Sequence, residues 1–284
     1  MKYLNLGCGR RFDSAWTNID FTSTGDGVIA WDLTKGIPYP DRSFNVVYSS
    51  HVLEHFPKTE AKSFLDECYR VLRPEGVIRI AVPDLEQIAK TYLNSLEQAS
   101  CGSQEWADNY DWMLLEMYDQ TVRNYSGGEM AKYFLKEYIP NQEFILQRLG
   151  GEAENLLKTR NHINPEKPLV VDTKSKIRRI LQQVYRFVRY RDYHRESILK
   201  LLLGKDYQAL QIGRFRQGGE VHQWMYDRYS LALLLKTCGL ENIVLRTASE
   251  SYISNWTSFD LDTESDGTVY KPDSLFMEAI KPAT

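Results

Sequence analysis

Two short apolar runs near the start of the chain, Tyr3–Leu6 and Thr17–Ile19, are separated by only ten residues, Gly7–Trp16. If both are strands of one parallel sheet, the crossover between them has room for only a very short helix. Val28–Trp31 and Phe44–Tyr48 read as the third and fourth strands, the fourth entered through the turn IPYPDRS. Ala61, Phe64, Leu65, Cys68, Val71 and Leu72 then recur at helical spacing. Arg73-Pro74-Glu75-Gly76 is expected to stop that helix, because proline cannot continue it and glycine tolerates the reversal. Val77–Val82 reads as strand five. Strands alternating with helical patterns predict a parallel α/β sheet.

From residue 86 to 219 the pattern is helical, with no convincing strand. Beyond it, Ser230 reads as the N-cap of a helix with Leu231, Leu234, Leu235 and Cys238 inward, closed by Gly239. Asn242–Thr247 and Leu275–Ile280 read as two last strands. The expected architecture is therefore an α/β core, residues 1–85 plus 220–284, split by a helical insertion over 86–219. With 284 residues, 43% hydrophobic and a formal charge of −3, the composition is that of an ordinary soluble protein. No apolar run approaches the roughly 18 residues of a membrane span. MKYLNLG already reads as strand and turn, so no signal peptide is expected. Cys8, Cys68, Cys101 and Cys238 lack paired spacing and are read as reduced thiols, which points to the cytoplasm.

Ligands of open α/β sheets bind beyond the carboxyl ends of the strands. The residues at those ends are Gly7-Cys8-Gly9, Asp20, Asp32, Ser49-Ser50-His51 and Pro83-Asp84. Glycines after strand one let a ligand approach the backbone. An acid ending strand two can accept both hydroxyls of a ribose, and one after strand three can accept a purine amino group. Either acid could instead serve only its own turn. A dinucleotide site wants G-x-G-x-x-G, but the third glycine position is Phe12, and no G-x-x-x-x-G-K-[ST] is present. A phosphate-free nucleoside fits better, and S-adenosylmethionine is the common one.

LNLGCG, WTNID, the DL before IPYPDRSFNVVYSSHVLEHF, and ECYRVLRPEGVIRIAVPD resemble the class I S-adenosylmethionine-dependent methyltransferases, in particular a bacterial subgroup whose substrates are mostly unassigned. VHQWMYDRYSLALLLKTCGL resembles the last helix of that subgroup and its approach. The resemblance covers the core and not the insertion. It implies a Rossmann-like seven-stranded methyltransferase sheet and S-adenosylmethionine as cofactor. It also implies Gly7 and Gly9 beside the methionine portion, Asp20 at the ribose with Phe21 next to it, and Asp32 and Leu33 bordering the adenine. Ser49 and Ser50 would face the sulfonium. Two positions depart from the family pattern. Asn5 stands where an acid is often found, and Arg10 and Arg11 follow the glycines, where an arginine could pair the cofactor carboxylate. The activity implied is O-methylation of a small-molecule or glycan acceptor.

SSHVLEHF carries His51-x-x-Glu54-His55, the spacing of one class of zinc peptidase, with two imidazoles on one face if the segment is helical. Zinc hydrolysis needs three ligands and an open position. No third ligand is marked in the sequence, and the segment begins at the nucleoside rim. No metal is therefore assigned, and a zinc hydrolase stands as the rival reading. In the resembling family this segment walls the transferred methyl, with Leu53 and Phe56 packing inward and His55 orienting Glu54 or capping the turn. If the acceptor is a hydroxyl, a base is useful, and the candidates are His51 and His222. Trp224 and Tyr226 could cover the acceptor beside His222, or simply be core.

Residues 174–216 hold twelve Lys or Arg against three acids, with apolar residues at near-helical spacing. That stretch is either a surface for anionic lipid or a phosphorylated carrier, or a solvated helix on an acidic core. No RNA-binding motif accompanies it, and nucleic acid is not expected as a partner. A non-catalytic module binding the cofactor or a membrane surface is a further rival. Leaving strand five at the rim and returning just before His222, the insertion is expected to roof the site as a lid.

Overall fold

The computed structural model describes residues 1–162 and 191–283. Its seven strands form one mixed sheet in the order β3-β2-β1-β4-β5-β7-β6. They are β1 (Tyr3–Leu6), β2 (Trp16–Asp20), β3 (Val28–Ala30), β4 (Phe44–Ser50), β5 (Leu72–Pro83), β6 (Glu241–Arg246) and β7 (Ser274–Ile280). The first five run parallel, and β7 lies antiparallel to both β5 and β6. The Rossmann-like seven-stranded α/β sheet is thus the fold.

The strands alternate sides at period two, as a pleated backbone requires. Leu4 and Leu6 of β1, Ile78 and Ile80 of β5, and Leu275 and Met277 of β7 point to one face. There they meet α1 (Lys58–Val71) and α9 (Arg228–Thr237). Phe64 and Leu65 of α1 are almost wholly buried, each stabilising by about 1.5–3 kcal/mol. The opposite face lacks a helix between β1 and β2, where the chain makes only turns. Its cover is the segment after β6, whose 3₁₀ turn Trp256–Phe259 packs Trp256 and Phe259 on Trp16 and Tyr48. Ten residues were too few for a crossover helix, and carboxy-terminal aromatics occupy its place.

Arg79 of β5 lies on that second face with no exposed surface. Its Nε donates to Asp262 Oδ2 (2.8 Å) and its Nη1 to Glu278 Oε1 (3.0 Å). Nη2 donates to the Thr247 carbonyl (2.8 Å), and the guanidinium lies 4.6 Å from the Trp256 ring. Every charge in the network is paired, which is the condition for burying it.

Two elements differ from expectation. The helix α1 stops at Val71, and Arg73-Pro74-Glu75-Gly76 is a bulge inside β5 rather than a helix stop. Leu72 pairs Phe44, Val77 pairs Val46, and the residues between them are looped out. Gly76 is needed because a Cβ there would stand 2.8 Å from the Arg73 carbonyl oxygen. Second, Ser230 is not the N-cap of α9. Asp227 is: its Oδ1 accepts from the Tyr229 and Ser230 amides, and the Ser230 hydroxyl accepts from the Asp227 amide, a capping box with serine in the third position.

Between β5 and α9 the described residues are helical. They form α2 (Leu85–Ser100), α3 (Gln104–Val122), α4 (Gly128–Phe134), α5 (Gln142–Leu149), α6 (Gly151–His162), α7 (Arg191–Leu203) and α8 (Tyr207–Arg216). Ile88, Trp112, Met113, Tyr133 and Ile145 make a core of their own there. Asp84 caps α2 through the Glu86 and Gln87 amides, and the Leu85 amide donates to the Tyr226 carbonyl (2.9 Å). The helical stretch therefore leaves the sheet and returns to it at one point. Of the basic stretch 174–216, residues 174–190 lie outside the described residues. No helix among the described residues is long and apolar enough to cross a membrane. The four cysteines are unpaired, three buried and Cys101 exposed.

Candidate active site

The chain leaves β1 through two left-handed glycines, Gly7 (φ 66°) and Gly9 (φ 54°). Gly7 is fixed twice over. L-residues avoid that φ, and a Cβ would stand 2.1 Å from Val52 Cγ2. The Gly7 amide donates to the Ile19 carbonyl (2.8 Å), and the Gly9 amide to Asp20 Oδ2 (2.8 Å). The acid at the tip of β2 thus holds the glycine bend. Asn5, 1% exposed, lies beneath the bend, donating from Nδ2 to the Arg11 carbonyl and to Asn18 Oδ1 (both 3.2 Å).

Asp32 follows β3 and caps the 3₁₀ turn Leu33–Lys35, accepting from the Thr34 amide (3.0 Å) and hydroxyl (2.6 Å). The Thr34 hydroxyl, and then its amide, hold the Asp32 carboxyl below the usual carboxylate range. Both turn duty and exposure to the cleft therefore apply to Asp20 and Asp32.

A cleft of about 1080 Å³ opens over these strand tips. Of the residues expected at the cofactor, Gly7, Asp20, Phe21, Asp32 and Leu33 share its wall, and His51 joins them. Asn5, Gly9, Arg10, Ser49 and Ser50 are not on that wall. Ser49 is 1% exposed, and Arg10 is exposed. Arg11 is turned away from the cleft. It donates to the Leu261, Asp260 and Thr263 carbonyls, pairs with Glu264 (2.9 Å) and lies 3.8 Å over the Tyr270 ring. Sequence reasoning missed Trp31, Val52, Arg216 and Gln217, which also line the cleft. Val52 lay inside the singled-out SSHVLEHF. Arg216 and Gln217 come from the far end of the helical stretch and carried no local signal.

His51-x-x-Glu54-His55 is not on an α-helix. His51 takes a left-handed backbone (φ 54°), and only Leu53–His55 make a 3₁₀ turn. The shared helix face of a zinc peptidase is absent. His51 is held by its amide to the Ala81 carbonyl (2.9 Å), by Nε2 with the Ser274 hydroxyl (2.8 Å), and by Nδ1, 3.2 Å from Glu54 Oε1. Glu54 has no exposed surface. Burial pushes its carboxyl up, but the His51 hydrogen bond and the neighbouring imidazole charges outweigh it and hold it at about 2.

His222 is 7% exposed and lies behind this wall, its ring 4.8 Å from that of His55 and its Nε2 4.0 Å from Glu54 Oε1. Burial drives His222 down to about 3, against the pull of Glu54. Tyr226 is core, and Trp224, 39% exposed, lies under Lys58 Nζ (4.4 Å) rather than on the cleft.

Residues 4–80 match the family model for a methyltransferase domain. A probable S-adenosylmethionine-dependent methyltransferase of Mycolicibacterium smegmatis is 42% identical over 48 residues, 17% of this chain and 18% of that protein's length. A SAM-dependent methyltransferase from Archaeoglobus fulgidus superposes with a TM-score of 0.38 at 12% identity, covering 99% of this chain and 86% of that one. A Burkholderia thailandensis 1,6-didemethyltoxoflavin-N1-methyltransferase, solved with S-adenosylhomocysteine, gives 0.26 at 20% identity over 29% and 44%. The match is confined to residues 4–80, which run from β1 into β5 of the seven-stranded sheet, and it gives that stretch the pattern of a methyltransferase domain.

Proposed function

We propose that the chain is an S-adenosylmethionine-dependent methyltransferase that methylates an oxygen of a small-molecule or glycan acceptor. The observation that carries this reading is the cleft at the strand tips. Two carboxylates from adjacent strands share its wall with a glycine bend that no helix follows. A pyrophosphate would find no helix N-terminus there, whereas a phosphate-free nucleoside needs none. The chain's residues fit that group: the Gly7 bend, Asp20 and Asp32 line one cleft, and the cleft has the volume of a ligand site.

The cofactor supplies a methyl group on a positively charged sulfur. Asp20 would accept from the ribose hydroxyls, Asp32 and Leu33 would border the adenine, and His51 would stand on the wall toward the acceptor. The main contribution of the chain is to hold donor and acceptor in line. Gly213 and the run 216–219 at the far end of the helical stretch line the same cleft, which supports a roof that selects the acceptor. The enzyme works in the cytoplasm, where unpaired thiols persist.

Calorimetry with S-adenosylhomocysteine tests the reading. Saturable binding is expected, lost in Asp20→Ala with the circular dichroism unchanged. Binding of NAD instead, or equal affinity in Asp20→Ala, would count against it.

A further inference from the structure

Three side chains from two distant stretches meet behind the cleft wall. Glu54 and His55 close the turn after β4. His222 lies on the return from the helical stretch, its amide bound to the Gln120 carbonyl (2.9 Å), while the next amide, of Gln223, donates to the Glu54 carbonyl (2.7 Å). Glu54, His55 and His222 each bring one donor atom within 4.8 Å of the other two. Glu54 is fully buried, yet its Oε2 has no hydrogen-bond partner among the described residues, and Nδ1 of both His55 and His222 is buried without one. Polar atoms so placed are costly unless something binds them.

We propose that Glu54, His55 and His222 bind a first-row divalent transition metal of the zinc class. Two imidazoles and one carboxylate suit such an ion, whereas magnesium and calcium prefer oxygen alone. His51 is a positioning residue here. Its Nδ1 steadies Glu54 Oε1, while Ser274 fixes the other side of the ring. Three protein ligands leave a coordination position open. His55 also lines the cleft, so the ion would stand beside it and could hold an acceptor oxygen. That use rests on the methyl-transfer reading, and the binding itself does not.

The test is titration of the chelator-stripped full chain with Co²⁺ and with Zn²⁺, read by cobalt ligand-field absorption and by metal content after dialysis. One equivalent is expected to bind. Glu54→Gln and His222→Asn should each weaken binding by at least about tenfold. Either change could unfold a buried site, so His55→Asn, which is only half-buried, is read alongside, with circular dichroism as the fold control. A wild-type chain that takes up neither ion, or three folded variants that bind as tightly as wild type, would overturn the proposal. Metal uptake without S-adenosylhomocysteine binding would sustain it and remove the methyltransferase reading instead.

Discussion

Gly7→Ala tests the bend on which the cleft is built. Its left-handed φ of 66° should cost an alanine about 1–2 kcal/mol. The new Cβ would also stand 2.1 Å from Val52 Cγ2 and 3.4 Å from Val52 Cβ. Relieving the closer contact means moving Val52 within a packed wall, an overpacking cost of roughly 1–3 kcal/mol. The two together predict about 2–5 kcal/mol of destabilisation. Val52→Ala alone removes two methyl groups from a half-buried position and should cost about 1–1.5 kcal/mol. In the double variant the clash disappears but the backbone strain stays. The cycle should therefore show a favourable coupling of about 1–3 kcal/mol. Equilibrium urea unfolding of the four proteins measures it. Coupling within about 0.5 kcal/mol of zero, or a Gly7→Ala chain as stable as wild type, would refute the close approach.

Arg79→Met keeps the apolar stem but leaves Asp262 without its cation, and Glu278 with only Arg246 as a charged partner. A loss of about 3–5 kcal/mol is expected by urea unfolding, and a loss under about 1 kcal/mol would show the network to be unimportant. Burial pushes the Asp273 carboxyl up from 3.8 to about 6. A raised carboxyl favours the folded state below its unfolded value and loses that contribution as pH rises through the folded one. Above that point Asp273 should cost roughly 3 kcal/mol. Asp273→Asn is expected to stabilise the chain at about pH 7.5 by 1–3 kcal/mol and hardly at all near about pH 3.5. An equal effect at both would exclude titration as the cause.

The first three strands were legible because each apolar run closes on a residue that strands avoid. Gly7, Asp20 and Asp32 each close an apolar run, and the alternation of Leu4 and Leu6 marked the buried face. Signals that depend on chain length were less legible. The run Arg73-Pro74-Glu75-Gly76 has the composition of a helix stop, yet Leu72 and Val77 both find partners on β4, and the sheet keeps the segment. Ser230 was mistaken for a cap because serine usually is one, whereas here it completes the box begun by Asp227. The histidine site was half legible. Glu54 and His55 stood out, but His222 reaches them only because the helical stretch leaves and rejoins the sheet at Leu85 and Tyr226. No local periodicity carries that closure.

The methyl-transfer account is tested most directly by a structure of the full chain with S-adenosylhomocysteine. The account predicts ribose hydroxyls on Asp20, adenine against Asp32 and Leu33, and the sulfur turned toward His51. A vacant cleft at saturating ligand, or the nucleoside seated away from both carboxylates, would contradict it.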